Sequence, residues 1–263
     1  MSKTKVIAFA NNKGGSGKTT TCANVACALA QMGKRVLMID GDMQLNLTIS
    51  YFDEEAALGF AQNGKNIYTA IKEDKPISSC NVQTEYEGLD LVPSTSLMSA
   101  IEFDLFSRWQ REFILKKLLA PVREEGKYDF VLIDAPPTLG GWVMNIMCAS
   151  DYLVVPVEAS PWGLFGLANM FDFCNQVKTI APELEVLGIA VTKADERKKY
   201  FKQTMETLKE MDGARLFEQY VRVDSAVEWS QDNSKPVVAY KKTSRSAGEY
   251  IQLTKEILSY VNR

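Results

Sequence analysis

The stretch that decides the fold lies near the start of the chain and reads Asn11-Asn12-Lys13-Gly14-Gly15-Ser16-Gly17-Lys18-Thr19-Thr20. It follows the apolar run Val6–Ala10, which is predicted to be a strand, and it opens the segment Thr19–Met32, which is predicted to be a helix. Glycines in such a turn let backbone N–H groups point at phosphate oxygens, and the helix N-terminus adds its positive dipole end. The stretch therefore predicts a phosphate-binding loop.

The loop departs from the strict pattern G-x-x-x-x-G-K-[ST] at one place, because Asn12 stands where the first glycine is expected. Lys18 is expected to reach the β- and γ-phosphates, and the hydroxyl of Thr19 is expected to bind Mg²⁺. The residues predicted to surround the phosphates are Gly14, Gly15, Ser16, Gly17, Lys18, Thr19 and Thr20.

Short apolar runs alternate with longer amphipathic segments along the whole chain, which is typical of a mostly parallel sheet covered by helices. The predicted strands are Val6–Ala10, Val36–Ile39, Leu89–Val92, Phe130–Ile133, Tyr152–Val157 and Val186–Val191. The predicted helices are Thr19–Met32, Met98–Leu119, Leu139–Ala149, Gly163–Ile180 and Ala247–Val261. We therefore predict one three-layer α/β/α domain over residues 1–263, in which Tyr51–Glu87 is the least regular part, either an ordered insertion or a mobile flap.

Two of the predicted strands end in carboxylates. Asp40 and Asp42 follow the second strand, and Asp134 follows the strand Phe130–Ile133. Ligands of such sheets bind at the carboxyl ends of the strands, and Mg²⁺ prefers hard oxygen ligands. The sequence therefore predicts a magnesium site beside the phosphate loop, formed with Thr19.

Three motifs together resemble the ParA/MinD family of deviant Walker-A P-loop ATPases, and the resemblance spans nearly the whole chain. The loop matches K-G-G-x-G-K-T-T, with the family's extra lysine at Lys13. The other two are Asp40-Gly41-Asp42-Met43-Gln44, similar to D-x-D-x-Q, and Ile133-Asp134-Ala135-Pro136-Pro137, similar to I-D-x-P-P. Met43 stands where the family usually has proline, a departure that could loosen this switch segment.

The resemblance implies an ATPase whose cofactors are ATP and Mg²⁺. By this resemblance Asp42 orients the attacking water, and Asp40 and Asp134 hold Mg²⁺ mainly through water. The expected catalytic residues are Lys13, Lys18 and Asp42. Lys13 would cross the interface of an ATP-bound homodimer and reach the partner's nucleotide. Hydrolysis is then expected to depend on dimerisation.

The strand Val186–Val191 is followed by Thr192-Lys193-Ala194-Asp195, which leaves the choice of base open. This matches the T-K-x-D pattern that related GTPases use to read guanine, and Thr192 is a candidate nucleotide-binding residue. Asp134-Ala135-Pro136-Pro137 stands where those GTPases usually carry D-T-A-G-R. ATP is the expected nucleotide and GTP the alternative.

Charge, cysteine content and the N-terminal sequence limit the partners and the compartment that can be expected. The formal charge is −3, so a nucleic-acid site would have to be a local basic surface. The cysteines are odd in number, five, without a C-x-x-C pair or any histidine, and are expected to be reduced core thiols. Because the run Val6–Ala10 is too short for a signal-peptide core, the protein is expected in the cytoplasm.

The resemblance to small ParA proteins implies nonspecific DNA binding by the ATP-bound dimer, and therefore association with the nucleoid. Arg197, Arg222 and Lys255 are the candidate DNA-binding residues, and a ParB-like centromere-binding protein is the expected activator of hydrolysis. The sequence does not choose among a plasmid, a chromosome, a conjugative element and a protein cluster as the cargo. A MinD-like membrane-cycling protein is the alternative, although Ala247–Val261 has few basic residues and no stable membrane association is expected. The third possible function is that of an enzyme-like relative, such as a nitrogenase iron protein.

Overall fold

The computed structural model describes residues 4–211 and 213–261, which form one seven-stranded sheet with helices on both faces. Along the sheet the strands run β3-β4-β2-β5-β1-β6-β7, and all neighbours are parallel except β3 and β4. The strands are β1 (Lys5–Phe9), β2 (Val36–Asp40), β3 (Val82–Gln83), β4 (Leu89–Val92), β5 (Phe130–Asp134), β6 (Tyr152–Glu158) and β7 (Glu185–Thr192).

Two separate apolar cores, one on each face of the sheet, give the protein its three layers. The helices are α1 (Lys18–Gln31), α2 (Asn46–Ile49), α3 (Glu54–Gln62), α4 (Ile67–Lys72), α5 (Ile101–Phe106), α6 (Ile114–Glu125), α7 (Gly141–Cys148), α8 (Pro161–Lys178), α9 (Lys199–Lys209), α10 (Ser225–Asp232), α11 (Val237–Tyr240) and α12 (Arg245–Val261). Residues of α4 to α9 pack on one face, and residues of α1, α11 and α12 pack on the other. Short 3₁₀ turns lie at Ile77–Ser79, Ser96–Ala100 and Arg111–Phe113.

The six predicted strands are confirmed as β1, β2, β4, β5, β6 and β7, and the central ones are buried on both faces. The sheet places β2 and β5 side by side, with Asp40 opposite Asp134 at their carboxyl ends. On the other side of β5 lies β1, which leads directly into the glycine-rich loop. The topology therefore brings the loop and both acidic strand ends to one edge.

The single helix predicted over Met98–Leu119 is wrong. The segment forms a 3₁₀ turn, α5, a second 3₁₀ turn and then α6. The break occurs where Gln110 takes a left-handed φ of 51°, a conformation that no α-helix can contain. The irregular segment Tyr51–Glu87 is ordered, since it contains α3, α4, a 3₁₀ turn and the short edge strand β3.

The last helix, α12, packs against α1 as part of the domain. Tyr250, Leu253 and Ile257 point into the core shared with α1. Within residues 4–211 and 213–261, no helix has the length and apolar character needed to cross a membrane. The cysteines are all free and buried, as the sequence predicts.

Candidate nucleotide-binding site

The phosphate loop connects β1 to α1 through two glycines with left-handed backbone, Gly15 at φ 74° and Gly17 at φ 83°. A Cβ added to Gly17 would lie 3.1 Å from Oγ1 of Thr192, so both the backbone angle and the space require glycine there. No side chain caps the N-terminus of α1. Its first N–H groups are therefore available to a phosphate.

Lys18 opens α1 and lies over this loop. Its side chain is buried, and Nζ donates a hydrogen bond to the carbonyl of Lys13 at 3.1 Å. Burial lowers the pKa of Lys18, while the nearby carboxylates of Asp134 and Asp42 oppose that shift. Held across the loop beside two carboxylates, the ammonium group is placed to meet a phosphate.

Asp134 is fully buried at the end of β5 and has one oxygen to spare. Its Oδ2 accepts a hydrogen bond from Oγ1 of Thr19 at 2.7 Å, whereas Oδ1 has no hydrogen-bond partner. Burial, and then the charge of Asp40, raise the pKa of Asp134 well above its usual range. A buried carboxylate oxygen without a partner costs free energy that a cation would recover, so the residues fit Mg²⁺.

Asp40 is also fully buried, but its oxygens are used by the protein. Oδ2 accepts from the backbone N–H of Thr48 at 2.8 Å and from its hydroxyl at 2.7 Å, and Oδ1 accepts from the N–H of Asp42 at 3.2 Å. Burial raises its pKa to about 6. Asp40 therefore fixes the loop after β2, and it would act on an ion through its charge or through water.

No group of three or more acidic, cysteine or histidine side chains gathers as a metal cage anywhere in the described part of the chain. Mg²⁺ itself is usually held by one or two carboxylates, with phosphates and water completing its shell. Thr19 and Asp134 are the residues that would hold it.

Asp42 lies on the wall of the cavity and is nearly buried, with 7% of its surface exposed. Its Oδ1 accepts the N–H of Gln44 at 3.1 Å, which closes a tight turn around Met43. Met43, at the position where the sequence lacks proline, is exposed. The turn is thus held by hydrogen bonds that Asp42 accepts, at Oδ1 from Gln44 and at its carbonyl from the N–H of Leu45 at 3.1 Å.

Gly41 fixes the position of Asp42, and its surroundings could not be predicted from the sequence. Its N–H donates to the carbonyl of Asp134 at 2.9 Å, and its carbonyl accepts from Nε1 of Trp142 at 2.8 Å. A Cβ at Gly41 would lie 2.7 Å from the carbonyl oxygen of Asp134. The buried indole of Trp142 on α7 therefore connects the segment after β5 to the segment that carries Asp42.

A cavity of about 730 Å³ opens above the loop and extends to α10. A volume of this size lies within the range of small-molecule sites. The predicted site residues on its wall are Gly14, Gly15, Gly17, Lys18, Thr19, Thr20, Asp42 and Thr192. Ser16 faces inward beneath the loop, where its carbonyl accepts the hydroxyl of Thr192 at 2.9 Å. The far end is formed by the segment Val221–Asp224 and by Val227, Glu228 and Gln231 of α10.

Lys13 points toward its own protomer rather than over the cavity. Its Nζ lies 3.6 Å from Oε2 of Glu158 and 3.4 Å from Oγ of Ser160, at the end of β6. The side chains of Lys13 and Glu158 are 25% and 33% exposed. The lysine is thus held in cis by a partly exposed ion pair that sequence patterns give no means to predict.

The three candidate DNA-binding residues lie in different settings. Arg197 is exposed and donates through Nε and Nη2 to both oxygens of Asp195, at 2.8 and 3.0 Å. Arg222 lies on the cavity wall and donates to Glu249 at 2.5 Å. Lys255 is exposed on α12. To bind DNA, each arginine would have to leave its carboxylate partner and bind a DNA phosphate instead.

Asp195, the residue that the GTP alternative would use, is already occupied. The bidentate contact with Arg197 lowers the pKa of Asp195 to about 2, so the carboxylate is charged and fully paired. A guanine edge would have to displace that arginine.

Comparison with known proteins identifies relatives along nearly the whole chain. A family profile described as an AAA domain matches residues 4–186. The chromosome partitioning protein ParA of Caulobacter vibrioides is 31% identical over 97% of this chain and 94% of its own length. The sporulation initiation inhibitor protein Soj of Bacillus subtilis is 32% identical over 96% of this chain and 98% of its own.

Two solved structures share the fold along the full length. Cobyrinic acid a,c-diamide synthase of Mycobacterium smegmatis, with bound ADP and magnesium, superposes with a TM-score of 0.83 at 27% identity, covering 98% of this chain and 96% of that one. A plasmid partition protein of Borrelia burgdorferi gives a TM-score of 0.74 at 26% identity, covering 98% and 97%. The three-layer P-loop architecture is therefore shared with nucleotide-binding relatives.

Proposed function

Because the chain belongs to the ParA/Soj family of P-loop ATPases, we propose that it is an ATP-dependent switch that dimerises on ATP, binds nonspecific DNA as a dimer, and segregates plasmid or chromosomal DNA with a partner protein. The single observation that carries this proposal is the arrangement around the loop. Uncapped N–H groups of α1, Lys18 and Thr19 lie at one cavity, and the hydroxyl of Thr19 donates to the buried Asp134, whose Oδ1 has no partner.

The nucleotide is proposed to be ATP with Mg²⁺. The loop N–H groups and Lys18 would bind the phosphates, and Thr19 with Asp134 would hold the ion. Bound there, Mg²⁺ would neutralise charge on the phosphate oxygens. The bidentate pairing of Asp195 with Arg197 supports ATP over GTP, and so does the ADP and magnesium in the related synthase structure.

Asp42 is proposed to position the attacking water. It lies on the cavity wall with one oxygen engaged by Gln44, which leaves the other to accept from a water. Phosphoryl transfer needs positioning and charge neutralisation more than covalent help, so a fixed carboxylate and lysines suffice. Gly41, Trp142 and Thr48 would hold that carboxylate's segment in place.

Lys13 is proposed to act across the dimer. In the single protomer it is held by Glu158 and Ser160. A second protomer bearing ATP would offer a more highly charged partner, and the lysine would then neutralise charge on the transferring phosphoryl group, as an arginine finger does. Hydrolysis would consequently depend on dimer formation.

The switch is tested by comparing ATP hydrolysis and ATP-dependent dimerisation in Lys13→Ala and Asp42→Ala proteins, with exposed Lys65→Ala as the control. Loss of hydrolysis in both variants is expected, with dimerisation retained in Asp42→Ala. A Lys13→Ala protein that hydrolyses ATP at the wild-type rate would refute the proposed role in trans.

Competition of ATP and GTP for a fluorescent nucleotide analogue tests which base the site prefers.

DNA binding and the partner are proposed from the relatives, because the ParA of Caulobacter is a chromosome partitioning protein. Arg197 and Lys255 are exposed, and two copies per dimer would add avidity. Binding should fall steeply with salt, and more steeply for wild type than for Arg197→Ala/Lys255→Ala. Exposed Lys209→Ala is the matched control.

The expected activator is a ParB-like centromere-binding protein, and the ATP-bound dimer would then associate with the nucleoid in the cytoplasm. An ATP-bound dimer that retards no DNA even at low salt would refute the DNA proposal. Flotation with ATP on anionic vesicles tests the membrane alternative, for which no binding is expected.

A further inference from the structure

The most exposed aromatic surface in the described part of the chain lies on and just after α5. Phe103, Phe106 and Trp109 are 84%, 76% and 91% exposed. We call these three residues the aromatic face. Side chains of this type bury about 150–250 Å² each, so the aromatic face offers on the order of 500 Å² of apolar surface to a partner. An apolar patch of that size is at the upper end of what monomeric soluble proteins expose, and such patches are often functional.

The segment that carries the aromatic face is anchored firmly. Ile101 and Leu105 on the inner side of α5 are buried in the core. Asp104 accepts from the hydroxyl of Tyr68 at 2.8 Å and from Lys72 at 2.7 Å. The aromatic face is therefore the outer side of a fixed helix rather than a frayed end.

The surroundings of the aromatic face carry no excess charge. The ion pairs around it are Lys72 with Asp104, Arg108 and Lys117 with Asp74, and Arg111 with Glu112, and the carboxylate of Glu102 on α5 balances the fourth cation. DNA or an acidic peptide would need free cations. A two-fold contact brings a patch against itself, so a patch with balanced charge can face its own copy without repulsion.

A hydrogen-bonded connection leads from α5 toward the nucleotide site. Glu102 on α5 accepts the N–H groups of Gly141 and Trp142, at 3.0 and 3.1 Å, at the start of α7. Pro137, on the same connection from β5 to α7, lies on the wall of the nucleotide cavity. The helix that carries the aromatic face is therefore connected to one wall of the nucleotide cavity.

We propose that the aromatic face docks against a second copy of this chain and forms an apolar part of the ATP-dependent dimer interface. This inference rests on the proposed dimer switch. A standard interface buries about 800 Å² per partner, so these three side chains would supply more than half of what a stable dimer needs. The loops around the nucleotide would supply the rest of the buried area and make docking depend on ATP.

The test measures dimerisation with ATP by sedimentation velocity in the Asp42→Ala background, in which hydrolysis does not remove the dimer. Phe103→Ser/Phe106→Ser/Trp109→Gln is expected to weaken dimerisation at least about tenfold, because central aromatic side chains dominate interface energies. Binding of a fluorescent ATP analogue to the monomer should stay unchanged. The matched control is Trp229→Gln, which removes another exposed tryptophan, on α10.

A second measurement does not depend on the triple variant folding. All native cysteines are buried, so Phe106→Cys introduces one accessible thiol. ATP should slow its reaction with a maleimide at least about tenfold, and Leu58→Cys, at an exposed position on α3, should react equally with and without ATP.

Dimerisation of the triple variant at wild-type strength, or equal reactivity of Phe106→Cys with and without ATP, would overturn the inference while leaving the dimer switch intact. Failure of the parent protein to dimerise in ATP would overturn the proposed function as well. Unchanged dimerisation with loss of binding to anionic vesicles would assign the aromatic face to a lipid surface instead.

Discussion

Replacing Glu158 by glutamine should make the ATP-dependent dimer form more readily. In the structure Glu158 holds Lys13 within its own protomer, with 3.6 Å between Oε2 and Nζ. If Lys13 acts on the partner's nucleotide, this ion pair must break before the lysine can cross the interface. Glutamine keeps the size and polarity of the side chain but removes the charge that attracts the lysine.

The magnitude follows from the exposure of the pair. Lys13 and Glu158 are 25% and 33% exposed, and partly exposed ion pairs of this kind contribute about 0.5 kcal/mol. Two lysines must be released per dimer, so the variant should gain about 1 kcal/mol, which tightens the dimer about fivefold. The Ser160→Ala variant loses only the 3.4 Å contact with Oγ and should gain less.

Sedimentation velocity with ATP, in the Asp42→Ala background, measures the dimerisation constant directly. A double-mutant cycle isolates the pair: with Lys13→Ala already present, Glu158→Gln should change nothing. A weaker dimer in Glu158→Gln would refute the reasoning, because it would mean that Glu158 contributes across the interface rather than holding Lys13 back.

Three further substitutions probe the site. Gly17→Ala should abolish nucleotide binding and cost about 1–2 kcal/mol or more in chemical denaturation, because alanine tolerates a φ of 83° poorly and its Cβ would press on Thr192; undiminished binding would contradict this. Trp142→Phe should cost about 1–3 kcal/mol of stability by leaving the carbonyl of Gly41 unpaired, and should slow hydrolysis more than it weakens ATP binding. Thr19→Ala should remove the Mg²⁺ dependence of nucleotide affinity while leaving affinity in EDTA unchanged; equal loss in EDTA would mean that the hydroxyl contacts phosphate.

The strands and the loop were predictable because their signals are local. Val36–Ile39 and Phe130–Ile133 are continuous apolar runs, and runs buried on both faces have this pattern wherever they occur in parallel sheets. The two-residue strand β3 lies at the edge and pairs antiparallel with β4, too short to leave any pattern. The break between α5 and α6 depends on the left-handed backbone of Gln110, which hydrophobic periodicity does not record.

Many of the interactions that hold the site residues join positions far apart in the sequence, so a single sequence does not predict them. The partner of Lys13 lies on another strand, and the partner of Arg222 lies on α12. Nothing in the local sequence of Trp142 indicates that its indole would bind the carbonyl of Gly41. Motifs identified the candidate nucleotide-binding groups, whereas the groups that hold them in place needed the coordinates.

Hydrogen bonds link α5 to the loop of Asp42 through α7, and this link would couple docking to hydrolysis. Glu102, next to the aromatic face, binds the first N–H groups of α7, and Trp142 on α7 binds the carbonyl of Gly41. Gly41 is adjacent to both Asp40 and Asp42. Because each connection is a hydrogen bond to backbone, a small shift of α5 on docking would displace the chain next to Asp42. Glu102→Ala should therefore lower the hydrolysis rate of the dimer while leaving its dimerisation constant unchanged. A weaker dimer that hydrolyses ATP at the normal rate would show that docking and hydrolysis are not coupled through Glu102.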